Sequence, residues 1–224
     1  TRVRSSAASD VYKRQALGTG TYLAVIWNVN LKVIGAVVML VAAGIAILNI
    51  RLNAVITGFF LAIELIALAV VTILGLTHAK NWSSLLHPVV GNAHGGLMSV
   101  PFTATLALTA VAVFSYNGYA NAVNFSEETT GSSRRIARAI LWALVITVAA
   151  ELIPLTAVLV GSPSLAKLST SSVPMQYFIE ATSNKTVYTI VSLGVVIAIL
   201  NAVIAIVLSY GRIFFSSGRD RAWP

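Results

Sequence analysis

A run of polar side chains interrupts the apolar stretch between Phe102 and Phe125. Its centre reads Ser115-Tyr116-Asn117-Gly118-Tyr119-Ala120-Asn121. Glycine lets a backbone leave helical geometry at little steric cost. Backbone N–H groups freed by such a break can hold a carboxylate, and freed carbonyls can hold an ammonium group. The pattern predicts a ligand-binding site within a membrane span. The alternative is a continuous helix whose polar side chains pack against neighbouring helices.

Two carboxylates and one amide lie inside other apolar runs. A charge at the centre of a membrane helix costs about 2.5–3.5 kcal/mol on insertion scales, so such groups often mark ion or proton paths. We expect Glu64 to take part in coupling, with a protonated side chain hydrogen-bonded to a neighbouring helix as the alternative. Glu151 is expected to satisfy backbone groups that Pro154 leaves unpaired. Asn201 is expected to bond between helices, with a position reaching the cavity as the alternative.

The sequence contains no pattern typical of a metal site or of an enzyme. The three histidines, His78, His87 and His94, have spacings that match no metal-binding motif, and cysteine is absent. The sequence shows no phosphate-binding loop, nucleotide fingerprint or catalytic triad pattern. We therefore predict no metal, no cofactor and no enzymatic activity.

The composition is that of a membrane protein. Hydrophobic residues make up 57% of the 224 positions, charged residues only 10%, and the mean hydropathy is +0.86. Soluble domains carry about 25% charged residues. The net charge of +8 comes from basic clusters at the ends of apolar runs, which is typical of membrane boundaries and not of a nucleic-acid-binding surface.

The apolar runs predict an all-α, polytopic transmembrane helical bundle. The predicted membrane domain covers residues 16–224, with a partial helix at 16–30 and full spans at 31–50, 53–76, 102–125, 136–160 and 187–215. A tight turn is expected at residues 51–53. Residues 1–15 are polar and basic and resemble translated adapter or vector sequence, so we expect them to be non-native and the chain to be a fragment.

Arginines collect at alternate ends of these spans. One set of ends carries Arg51, Arg134, Arg135, Arg138, Arg212, Arg219 and Arg221. The other set carries only Lys32, Lys80, Lys167 and Lys185. Because cytoplasmic loops are enriched in basic residues, the arginine-rich ends are predicted to face the cytoplasm.

Two segments resemble one family of transporters. The stretch 114–128, followed by Arg134-Arg135-Ile136-Ala137-Arg138-Ala139-Ile140, resembles the sixth helix and following loop of the amino acid–polyamine–organocation (APC) permeases. The closing segment, 209–224, resembles the end of the eighth helix in that family. The family's Asn-Pro before the arginine pair is replaced here by Ser132-Ser133, and a later proline by Ala137. A serine can cap the next helix instead.

The resemblance implies a partial five-plus-five inverted-repeat transporter fold, comprising about the fourth to the eighth helix. It implies that Phe114 forms an aromatic gate and that the following residues form an unwound stretch facing the ligand. The substrate-binding residues implied are Phe114, Ser115, Tyr116, Asn117, Gly118 and Asn121.

The resulting expectation is secondary active transport of amino acids or related amines by alternating access. The expected partners are the substrate, membrane lipid, and a proton or sodium ion. The expected location is the plasma membrane, or the inner membrane of a bacterial cell, and the fragment is expected to be inactive alone. Two alternatives are a membrane structural or interaction protein and a sodium–solute symporter of the same fold.

Overall fold

The computed structural model describes residues 22, 30–92, 95–115 and 133–221. The helices are α1 Leu31–Ala46, α2 Ile50–Thr77, α3 Phe102–Ser115, α4 Ser133–Gly161, α5 Leu165–Thr170, α6 Pro174–Thr182 and α7 Lys185–Arg219. Between α2 and α3 lie a 3₁₀ turn at Trp82–Leu85 and a hairpin of two antiparallel strands, β1 Val89–Gly91 and β2 Leu97–Ser99.

Three of these helices, α2, α4 and α7, are long and apolar enough to cross a membrane. They have 28, 28 and 35 residues, and each contains an 18-residue stretch whose mean hydropathy is 2.6, 2.3 and 2.9, respectively. At 1.5 Å per residue the shortest is about 42 Å long, against a hydrocarbon core of about 30 Å. Helix α1 has 16 residues and is shorter than the predicted span at 31–50. The second half of the predicted span at 102–125 lies outside the described residues.

The turn between α1 and α2 was predicted in the wrong place. It lies at residues 47–49, whereas Arg51 and Asn53 are inside α2. The Asn49 side chain accepts a hydrogen bond from the Leu52 N–H at 3.0 Å, which caps the start of α2. Arg51 suggested a turn because it interrupts an apolar run, but a polar residue is compatible with the first turn of a helix. The capping asparagine, and not the charge, sets where α2 begins.

One compact unit of the chain combines residues up to Ala67 with those from Thr189 onward. Its core joins Val38 and Ala42 of α1 to Val203 and Ile204 of α7. A methyl group on Gly194 would lie 2.8 Å from the Ala67 Cβ, so α7 approaches α2 closely there. Small residues at helix contacts allow this close packing, which holds membrane helices together where apolar lipid gives them no hydrophobic drive to associate.

The second unit covers Leu68–Tyr188 and contains another close helix contact. A Cβ on Gly75 would overlap the Ala157 carbonyl, and a Cβ on Gly161 would overlap the Gly75 carbonyl. The backbones of α2 and α4 therefore touch near the end of each helix. Val71 and Val160 are buried beside this contact.

The segments between the predicted spans, 77–101 and 161–186, contain short helices and the hairpin, all within the second unit. Ser164 caps α5 by accepting from the Lys167 N–H, and Pro174 begins α6, where its missing N–H costs nothing. Phe178 and Ile179 of α6 are fully buried. These short elements were not predicted because six- and nine-residue helices are too brief for hydropathy to distinguish them from loops.

Candidate functional site

The start of α3 is fixed by the residue that precedes it. The Pro101 carbonyl accepts hydrogen bonds from the Ala104 N–H at 3.0 Å and the Thr105 N–H at 3.2 Å. One turn further along, the Thr109 hydroxyl donates to the Thr105 carbonyl at 3.2 Å, so this hydroxyl is satisfied within its own helix. The helix that leads into the predicted site therefore begins in a regular, locally bonded turn.

The predicted substrate residues lie at the end of α3 and beyond it. Phe114 and Ser115 are the last two residues of the helical backbone described there. The remaining predicted substrate residues, Tyr116, Asn117, Gly118 and Asn121, lie outside the described residues. Their role in substrate binding stays a prediction.

Glu64 occupies the middle of α2 and is half-buried. This position fits the predicted location of a carboxylate deep within a span. Carboxylates near the centre of a membrane helix usually face the protein interior and not the lipid. Its role in coupling stays a prediction.

Glu151 does not make the backbone contact that was expected of it. Its side chain is exposed on α4 and has no hydrogen bond within the described parts of the chain, although the neighbouring Pro154 is buried. The expectation rested on sequence proximity alone. Pro154 has no N–H and leaves the Ala150 carbonyl without its helical donor. A carboxylate is itself an acceptor, so Glu151 could bond that carbonyl only in its protonated form.

Two buried amide oxygens lack hydrogen-bond partners among the described residues, those of Asn53 and Asn201. The Asn53 amide nitrogen donates to the Leu48 carbonyl at 2.8 Å, which leaves only its oxygen unpaired. Within the described part of the chain, the Asn201 oxygen does not form the interhelical bond predicted for it. An unpaired buried acceptor costs about 1–3 kcal/mol. Sequence reasoning missed Asn53, for which the available signal was an amide within an apolar run.

The ends of α2 and α4 are joined by backbone hydrogen bonds. The N–H groups of Lys80 and Asn81 both donate to the Val160 carbonyl, at 2.8 and 3.0 Å. The Asn81 side-chain amide donates to the Ser162 carbonyl at 2.7 Å. Carbonyls in the last turn of a helix lack partners within the helix, so these bonds satisfy groups that would otherwise need water.

The described histidines, His78 and His87, differ in their surroundings. His78 Nδ1 lies 2.9 Å from the Leu74 carbonyl, next to the end of α2, and His87 is exposed. His94 lies outside the described residues. Within the ranges that the structure describes, no group of three potential ligands is arranged to hold a metal ion.

The long apolar helices, joined by short polar connections, define an integral, multi-pass α-helical membrane protein. The chain matches the family model for amino acid permeases over residues 15–224. It belongs to the amino acid permease family of the APC superfamily, which confirms the resemblance seen at 114–140 and at 209–224. No curated protein and no solved structure shows significant similarity to the chain. The family comprises transporters of amino acids and related amines and not enzymes.

Proposed function

We propose that this chain is the central part of a secondary active transporter that moves an amino acid or related amine by alternating access. Transport is driven by a proton or sodium gradient across the plasma membrane, or across the inner membrane in a bacterial cell. The observation that carries this proposal is the amino acid permease match, which runs through the polar segment at 114–121. The five-plus-five inverted-repeat fold follows from the same membership.

We propose that the backbone leaves helical geometry after Ser115 and before Asn121, and that the substrate binds there. The freed N–H groups hold the substrate carboxylate, and carbonyls and the Asn117 amide complete the site. Phe114 covers the bound ligand.

The test compares two glycine substitutions in the complete permease. Gly118→Leu should abolish uptake of radiolabelled amino acid without lowering the amount of protein in the membrane, because leucine fills the cavity and favours an unbroken helix. Gly44→Leu is the matched control, since a side chain at Gly44 meets no atom within 4 Å. Uptake by Gly118→Leu at the control's rate would contradict the proposal and favour a continuous helix.

The Asn117→Ala variant tests substrate contact more finely. Loss of one hydrogen bond of about 0.5–1.5 kcal/mol should raise the apparent KM between about two-fold and ten-fold. Protein level and maximal rate should change less. An unaltered KM would remove Asn117 from the site.

We propose that the 224-residue chain does not transport by itself, because it resembles only about the fourth to the eighth helix of the permease fold. Reconstitution of the 224-residue chain into proteoliposomes should show no saturable amino acid uptake. Saturable uptake would contradict that expectation. Uptake by the complete protein separates the transporter from the alternative, a membrane protein with a purely structural role. In that alternative the complete protein would also show no amino acid uptake.

A further inference from the structure

We propose that the β1–β2 hairpin is a positioning element that fixes the start of α3 to helix α5, and that Gly91 and Ser169 hold this attachment. The proposal rests on the proposed function, because α3 leads into the proposed substrate segment. All the residues concerned belong to the unit Leu68–Tyr188.

The attachment consists of one hydrogen bond and one close contact. The Gly91 N–H donates to the Ser169 hydroxyl oxygen at 2.7 Å. A Cβ on Gly91 would lie 2.5 Å from the Ala166 carbonyl oxygen and 2.8 Å from the Ser169 hydroxyl oxygen. Any side chain at Gly91 would therefore push β1 away from α5. Only glycine allows the backbone of the hairpin to reach the helix.

Ser169 is oriented to accept this bond. Its hydroxyl donates to the Leu165 carbonyl of its own helix at 2.8 Å, which directs a lone pair toward the Gly91 N–H. Alanine would leave the Gly91 N–H without this acceptor. Threonine would keep both the donor and the acceptor, because it carries the same hydroxyl.

A continuous set of backbone bonds connects Gly91 to α3. Gly91 pairs with Leu97 and Val89 with Ser99 across the hairpin. The Val100 N–H then donates to the Pro88 carbonyl at 2.9 Å, and Pro101 follows with its carbonyl in the first turn of α3. Only two residues separate β2 from α3. Because hydrogen-bonded backbone connects β1 to α3, a displacement of β1 would also move the first turn of α3.

Helix α5, on the other side of the attachment, is itself anchored to the rest of the second unit. Ala166 and Leu168 of α5 are buried. The Ser162 carbonyl, just before α5, accepts from the Asn81 side chain, and the Val160 carbonyl accepts two backbone N–H groups. Helix α5 is therefore tied to the ends of α2 and α4. The first turn of α3 is thereby fixed to these helices, at the end of α3 that is farther along the chain from the proposed substrate segment.

The structural arm of the test uses spin labels. This chain contains no cysteine, so cysteines at Thr103 on α3 and Lys167 on α5 are the only labelled positions in it. The two labels should give a narrow distance distribution in an otherwise unaltered chain. Ser169→Ala should broaden that distribution, Gly91→Val should broaden it further, and Ser169→Thr should restore it. Ser172→Ala, at an exposed serine in the same segment, is the matched control and should leave it unchanged.

The transport arm uses the same substitutions in the complete permease. Ser169→Ala should lower the maximal uptake rate by roughly three- to ten-fold, the scale of one lost hydrogen bond, while KM stays within about two-fold. Ser169→Thr should recover the rate. If Ser169→Ala only lowered the amount of protein in the membrane, the uptake rate would fall in proportion to that amount. The rate per molecule would then be unchanged, and Ser169→Thr would have no deficit in that rate to restore.

Two results would overturn the proposal. One is an unchanged distance distribution in both Ser169→Ala and Gly91→Val, which would show that the hairpin does not hold α3. The other is a broadened distribution with undiminished uptake, which would show that the attachment does not matter for transport. Absence of amino acid uptake by the unaltered complete permease would be a failure of the proposed function instead, and the distance measurements would still report on the attachment.

Discussion

The contact between α2 and α4 requires a glycine at position 75, because any side chain there would overlap α4. Gly75→Leu should lower the thermal unfolding midpoint in detergent, because the leucine Cβ would overlap the Ala157 carbonyl and force α2 and α4 apart. Overpacking of this kind costs about 1–3 kcal/mol. Gly58→Leu, in the same helix, is the control, since a side chain there meets nothing within 4 Å. Equal midpoints for the two variants would mean that the contact does not support the fold.

Glu64 is the residue whose charge is most open to test. If it carries a coupling proton, Glu64→Gln in the complete permease should flatten the pH dependence of uptake while leaving expression intact, because glutamine keeps the shape and cannot titrate. Aspartate at the same position should retain part of the pH dependence. An unchanged pH profile in Glu64→Gln would assign the carboxylate a structural hydrogen bond within its helix bundle.

At the residue scale the sequence reveals chemistry better than it reveals contacts. Glu64 and the polar segment at 114–121 stand out because polar groups are rare in apolar runs. Gly75 and Gly161 do not stand out, because a glycine in a membrane helix has the same appearance whether it faces lipid, as an open position such as Gly58 can, or another backbone. The way in which the helices cross decides which glycines lie at a helix–helix contact, and the hydropathy of the sequence carries no information about that crossing.

At the scale of elements, the start of α2 tests whether a cap or a charge defines a helix boundary. Asn49→Ala should destabilise the chain by about 1 kcal/mol, since it removes the side-chain acceptor for the Leu52 N–H. Asn49→Asp and Asn49→Ser keep a capping oxygen and should stay close to the unaltered chain in thermal unfolding. Destabilisation that is equal in all three variants would point to a contact other than the cap.

The elements divide into those that the sequence predicts and those that tertiary contacts create. Helices α2, α4 and α7 follow directly from long apolar runs. Helix α5 and the hairpin do not, because neither has enough regular pattern to be recognised. They form where Gly91 can approach Ala166 and Ser169, so they depend on a pairing 78 residues apart in the chain.

At the scale of the whole molecule, the distribution of basic residues predicts the orientation in the membrane. Within the second unit the described geometry agrees with the predicted separation of charges. The Lys80 N–H bonds the Val160 carbonyl at one end of α4, and Arg135 lies near the other end. The 25 residues between Arg135 and Val160 extend roughly 38 Å along the helix axis, more than the hydrocarbon core.

Single-cysteine labelling tests this orientation across the chain. The unaltered chain has no cysteine, so each variant carries one reactive thiol, and all the positions chosen are exposed. A membrane-impermeant maleimide applied to intact cells should label Lys80→Cys and Lys167→Cys. It should label Arg51→Cys, Arg135→Cys and Arg219→Cys only after the membrane is opened.

The labelling result reports the number of membrane crossings between two positions. An even number of crossings places both positions on the same side of the membrane, and an odd number places them on opposite sides. Arg51 and Arg135 share the cytoplasmic face only if two spans separate them, α2 and the predicted span beginning at Phe102. That span is the one proposed to bind substrate, and only its first part, α3, is described. Labelling that puts Arg51 and Arg135 on opposite faces would show that the segment after Phe102 does not cross the membrane. The proposed substrate segment would then lose its position within the bilayer, whatever its side chains can bind.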